Sequence, residues 1–282
     1  MKKIHFYSIT LLLFMCSSLA DAQSFWKERS LNKISIQWSK PILPEGFDVF
    51  NTATSRTTIS GNFSVGQKVG IAIEVPTAFA RIDNDFLFGN VSSEGEFILG
   101  NVYLGTEIGN LSNGFFGELG VHLPTNSTGD DFFDGDAAGI GLLSDYAQIQ
   151  SFTQDVFWID AKLNYIQSGN GFSFRGRGGL DLGILTENDD FFEQDDSELL
   201  LDLGFQAGYD NEKVTVLGGF QTQGILSESD LEFDERFNTL LGLTVSATLN
   251  KFRPGLNVKV PVSGPANPSI DAVFGVHLSY LL

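Results

Sequence analysis

Cysteine is nearly missing from this chain. Of 282 residues only Cys16 is one, and it falls in the first 22. Removal of a leader there would take it away, so no disulfide frame, thiolate metal site or thiol nucleophile is expected. Histidine is scarce as well, with three copies. His122 and His277 lie far apart, and no Gly-x-Ser-x-Gly run occurs. An enzyme is therefore not expected, and neither is a cofactor or a bound metal. Basic residues are outnumbered, 17 Lys and Arg against 35 Asp and Glu, for a net charge of −18. A surface of that sign repels phosphate, which excludes nucleic acid as a partner. After the leader no stretch of uncharged apolar residues is long enough for a transmembrane helix.

What is present is alternation. Every even position from Ile270 to Leu282 is apolar, and most odd ones are small or polar. A period of two puts one face of a strand in an apolar medium and leaves the other polar. The pattern recurs about a dozen times, at lengths that suit a bilayer-crossing strand. The predicted strands are 31–39, 56–65, 69–80, 98–109, 114–123, 154–167, 172–185, 198–209, 213–223, 237–249, 255–262 and 269–282. Tight turns alternate with long connections at 40–55, 81–97, 124–153, 186–197 and 224–236, the last connection, 263–268, being shorter. That is the habit of outer-membrane barrels, whose turns are short on the periplasmic side and long outside. The expectation is an all-β fold, a transmembrane antiparallel up-and-down β-barrel of about 12 strands.

The N-terminus fits the same address. Lys2 and Lys3 precede an apolar run from Ile9 to Met15, and Ala20-Asp21-Ala22 is a small-x-small cleavage site. Residues 1–22 read as a cleaved signal peptide, and 23–282 as one barrel domain in the cell outer membrane. Met15 is bulky where lipidation of Cys16 would want a small residue. Aromatics at the tight-turn ends (Phe63, Phe115, Tyr165, Phe172, Tyr209, Tyr280) suggest an interfacial girdle. Pro76, Pro124 and Pro261 read as strand ends, since proline cannot donate to a ladder.

A charge facing lipid costs a few kcal/mol near the midplane, so charged strand faces belong inside. Parity then gives a lumen lining of Lys33, Glu74, Glu107, Glu118, His122, Asp160, Lys162, Arg175, Arg177, Asp181, Asp202, Lys259, Asp271 and His277. Mixed signs fit either a polar pore or a plug of ion pairs. Arg175 and Arg177 share a face and need acids opposite, with Asp202 and Asp160 as candidates. Two long loops repeat an Asp-Asp-Phe-Phe core. Phe132, Phe133, Phe191 and Phe192 would stand at the extracellular mouth, or fold onto the rim. The acids around them lack an EF-hand spacing and read as solvated loops facing lipopolysaccharide.

Leu99-Gly100-Asn101-Val102-Tyr103-Leu104-Gly105-Thr106-Glu107, a short turn, and then Gly117 to Leu123 with Pro124-Thr125 resemble the outer-membrane proteins associated with meta-pathway phenol degradation. The resemblance is close over roughly 71–125 and a matter of pattern elsewhere. The chain ends in Leu282, where that family has phenylalanine. The resemblance implies a barrel that passes small hydrophobic or aromatic solutes, and it carries no catalytic residues. The alternative is a plugged structural or surface-interaction barrel acting through its acidic loops. Expected partners are outer-membrane lipid and lipopolysaccharide, a small apolar solute, and the barrel-assembly machinery, engaged by the C-terminal strand.

Overall fold

Alternation becomes a closed wall. The structure, a computed structural model, describes residues 32–44, 54–81, 95–126, 134–186, 197–211, 213–227, 232–267 and 269–282. The strands are β1 (Lys33–Ile42), β2 (Ser55–Ser64), β3 (Val69–Ala80), β4 (Glu96–Leu99), β5 (Val102–Gly109), β6 (Gly114–Leu123), β7 (Val156–Gly169), β8 (Phe172–Leu185), β9 (Ser197–Asp210), β10 (Val214–Ile225), β11 (Phe237–Ala247), β12 (Phe252–Ser263) and β13 (Ala272–Leu281). Each pairs antiparallel with its neighbour, and β1 closes on β13 from Lys33↔Leu281 to Ile42↔Ala272. β4 and β5 both pair with β3, one above the other, so they fill one place in a 12-stranded barrel. No sheet edge runs the length of the wall, which removes the row of unpaired amides that lipid cannot satisfy.

The distribution of side chains is inside out. Ile34, Ile36, Ile73, Leu104, Leu163 and Leu243 are exposed on the outer face, while Lys33, Arg56, Asp160, Asp181 and Asp202 are buried within. A soluble barrel would invert this. Aromatics band the outer wall near the tight turns. Phe115 packs tilted against Tyr165 at 4.6 Å, Tyr165 meets Phe174 at 6.3 Å, and Phe174 meets Phe205 at 4.8 Å. The tightest turn, Asn170-Gly171, has φ of 54° and 80°, as a two-residue hairpin loop of that hand requires.

Two expectations need correcting. The strand expected at 98–109 breaks at Gly100-Asn101. Ile98 faces in above the break, and Tyr103 and Glu107 face in below it, so the inward parity changes from even to odd. The prolines at 76 and 261 do not end strands. Pro76 sits where β3 changes partner from β5 to β4, and Pro261 beside a register shift in the β11–β12 ladder. Proline's missing donor is harmless where the ladder is already interrupted.

The described part of the connection after β6, residues 134–155, is not a loop on the surface. It contains helix α1 (Asp134–Ser144) and a 3-10 turn (Tyr146–Ser151), and it folds into the barrel. Ala137, Ala138 and Ile140 of α1 pack on inward Ala78, Ala80 and Ile98, with Phe152 closing the cluster. Four of the seven are alanines, Ala78 and Ala80 on the wall and Ala137 and Ala138 on the helix, which lets helix and wall come close. A Cβ at Gly141 would stand 2.5 Å from the Phe152 ring. Among the described residues no helix is long and apolar enough to cross a membrane. Phe132, Phe133, Phe191 and Phe192 lie outside the described residues, as does the segment 1–31.

Candidate functional site: a plugged lumen

Two buried ionic clusters occupy the lumen. The first is carried by strands β6 to β9. Lys162 lies 3.3 Å from Asp160, 3.2 Å from Asp181 and 3.7 Å from Asp202. His122 Nε2 is 3.2 Å from Asp160. Arg177 donates to Glu118 at 2.8 Å and to Asn164 at 2.9 Å, and its guanidinium is 4.0 Å from Asp202. Tyr103 adds a hydroxyl to Glu118 at 2.7 Å. Arg175 reaches a different acid, donating to Asp210 at 2.7 Å near the tight-turn end. Both arginines are paired with interior acids, and of the two candidate partners Asp202 lies beside Arg177 while Asp160 serves neither arginine. Asp160 belongs to Lys162 and His122, and only Arg177 approaches Asp202. Strand spacing explains this, since Arg175 and Arg177 sit two residues apart and look toward acids at different heights.

The second cluster ties the plug to the wall. Asp145, between α1 and the 3-10 turn, accepts from Lys259 of β12 at 2.8 Å and stands 3.7 Å from Arg56 of β2. Arg56 also donates to Gln148 at 2.8 Å. Burial alone would raise the Asp145 carboxyl, but Lys259 and Arg56 outweigh it and hold the group below the usual carboxylate range. Burial raises the neighbouring Tyr146 phenol, which packs near Leu240. Gln150 donates to Asp181 of β8 at 2.6 Å, so the plug also touches the first cluster.

A third fastening lies at the strand break. Asn101 donates to the carbonyls of Gln150 at 2.8 Å and Thr153 at 2.6 Å, and accepts from the amide of Asn126 at 3.1 Å. Its own amide bonds to the Ser151 carbonyl at 2.7 Å. Thr125 donates to the Gly100 carbonyl at 2.7 Å and accepts from the Val102 amide at 3.0 Å. A Cβ at Gly100 would stand 2.3 Å from the Ser151 carbonyl, so only glycine lets the plug backbone reach the wall. The Gly-Asn and Leu-Pro-Thr elements of the sequence motif therefore form the clasp at the root of the plug.

Of the residues expected inside, Glu74, Glu107, Glu118, His122, Asp160, Arg175, Asp181, Asp202, Lys259 and His277 are buried there, with Lys33, and Lys162 and Arg177 nearly so. Asp271 is a correction. It is exposed at the long-loop rim just before β13, where its amide bonds to the Ile42 carbonyl. Inward charged residues that escape the parity reading include Arg56, Arg253, Asp210 and Glu96, whose carboxylate accepts from the Ala137 amide at 3.0 Å. Arg56 was legible, because Arg56, Thr58, Ser60 and Asn62 alternate with Thr57, Ile59 and Phe63. Asp145 was not, because nothing in a loop's composition says that it folds inward. Among the described residues no group of His, Cys, Asp and Glu is arranged to hold a metal ion.

No family model matches the sequence, and no curated protein matches it. Solved structures do match in shape. An outer-membrane channel from Pseudomonas putida F1 superposes with a TM-score of 0.57 at 12% identity, over 93% of this chain and 100% of that one. The translocator domain of autotransporter NalP from Neisseria meningitidis gives 0.53 at 10% identity, over 100% of this chain and 97% of that one. The NanC porin gives 0.51 at 9% identity, over 89% of this chain and 100% of that one. At such identities the likeness is one of fold, and the fold is that of outer-membrane β-barrels.

Proposed function

We propose that this chain is an outer-membrane channel closed by its own inward-folded loop, through which small solutes diffuse when the loop is released. One observation carries this reading. The plug is fastened by polar contacts at separate points, Asp145 with Lys259 and Arg56, Gln150 with Asp181, and the Asn101 clasp. A buried ion pair contributes little net stability, because desolvation offsets most of its attraction. Such fastenings hold a position and can be exchanged for water. Among the described residues the plug's apolar contact with the wall is confined to two small clusters, Ala137, Ala138, Ile140 and Phe152 on Ala78, Ala80 and Ile98, and Ala147 on Leu240.

The resemblance to phenol-pathway proteins supports hydrophobic or aromatic solutes as the cargo. The lining narrows that class. A wholly apolar molecule would have to displace water from charged walls, so the solutes passed are small molecules bearing at least one polar group. Lipopolysaccharide around the rim and the barrel-assembly machinery at β13 are the partners this reading implies.

A second reading has its own support. Lys162, Arg175 and Arg177 are all paired with interior acids, as a plugged structural barrel would require. Conductance separates the two. In planar bilayers the wild type should give rare, small openings, and Asp145→Asn frequent larger ones. A barrel that stays silent in both would favour the structural reading.

A further inference from the structure

The interior charges are sorted by wall. Strands β11, β12, β13, β1 and β2 are contiguous across the closure and contain no Asp or Glu at all. Yet the chain has 35 acids against 17 bases. What these strands turn inward is Lys33, Arg56, Arg253 and Lys259, set among Ser, Thr and Asn. Strands β3 and β5 to β9 face them from the other side. They turn in Glu74, Glu107, Glu118, Asp160, Asp181 and Asp202, with half-buried Asp210 at the tight-turn end, more acids than the cations Lys162, Arg175 and Arg177 can balance; only at that end do the walls meet, where Arg253 stands 3.8 Å from Asp210. Uncharged β10 separates the two walls on one side. The plug follows the same division, since its Asp145 docks on the cationic wall.

A second, independent observation is a pair of unsatisfied amides. Gln206 of β9 and Asn257 of β12 are buried, and neither the oxygen nor the nitrogen of either amide has a partner. Leaving a buried amide unpaired is costly, so each offers a donor and an acceptor to a molecule that reaches it once the plug is released.

We infer that the lumen is polarised across its width and takes small zwitterionic solutes, with carboxylate toward the Lys33, Arg253 and Lys259 wall and ammonium toward the acidic wall. Opposite charges at two ends of a small molecule gain from both walls at once, while an uncharged molecule of equal size gains from neither. Water oriented by the same field resists displacement by apolar solutes. The inference rests on the channel reading and sharpens its substrate class.

Glycine and glycolamide have the same atoms, and only glycine is a zwitterion. Swelling of liposomes carrying the Asp145→Asn channel should be faster in glycine than in glycolamide by about fivefold or more, equivalent to about 1 kcal/mol. Adding Lys33→Gln and Arg253→Gln, with closed-barrel gel mobility as the folding check, should abolish the preference and shift the reversal potential in a KCl gradient toward cations. Equal or faster entry of glycolamide into the Asp145→Asn channel would overturn the inference and leave the channel reading standing. Entry of neither solute would overturn both.

Discussion

The two ionic clusters inside this barrel are built alike and anchored differently. In one, every member sits on a strand: Lys162 and its three acids come from β7, β8 and β9, joined by continuous ladders. In the other, Asp145 sits on an inserted loop and its cations sit on β12 and β2. Charges borne by adjacent strands cannot separate unless the wall opens. A charge borne by a loop can leave while every ladder stays intact. The first cluster is thus part of the barrel's stability, and the second a fastening whose loss changes the lumen.

Removing a member of each cluster should break this symmetry most visibly. Lys162→Ala leaves Asp160, Asp181 and Asp202 crowded in a buried site. It should lower barrel stability by about 3–5 kcal/mol, read as a drop in the temperature at which the folded gel band is lost. An unchanged temperature would mean that the wall does not depend on this cluster.

Asn101→Ala tests the other side. It removes three side-chain hydrogen bonds at the root of the plug. Plug docking should weaken by about 2–4 kcal/mol. Cleavage of the 134–155 segment by external protease should rise, with the folded gel band nearly unmoved.

Acid sharpens the comparison further. The docked Asp145 carboxyl titrates below its ordinary value. Its contribution is therefore complete above the undocked pKa, near 4, and is lost as pH falls through the lower docked value. Open-channel events should stay constant from about pH 7 to 5 and increase below about pH 4. A rise already at pH 6 would assign the gate to a histidine instead.

Most of the wall was legible from the sequence, because a membrane barrel imposes one rule on every strand. Phe172 to Leu185 and Val69 to Ala80 have the ends that alternation predicts. The breaks in the rule were not legible. Gly100-Asn101 reverses inward parity within what reads as one continuous strand, and its reason lies in plug carbonyls some 50 positions away. The plug was hidden for a related reason. Ala137 to Leu143 is a short apolar stretch rich in Gly and Ala, and only the facing Ala78 and Ala80 make it a packing surface. Side-chain direction follows from local pattern, whereas the partner of a buried charge depends on strand stagger and loop path.

The central claim is that Asp145 gates the lumen without supporting the barrel. Single-channel recording of wild type and Asp145→Asn in the same bilayer, paired with the melting temperature of the folded gel band, tests it most directly. The account predicts a large rise in open-channel conductance with a melting temperature shifted by no more than a few degrees. Unchanged conductance with a collapsed melting temperature would contradict it, and would make the plug a structural part of the barrel.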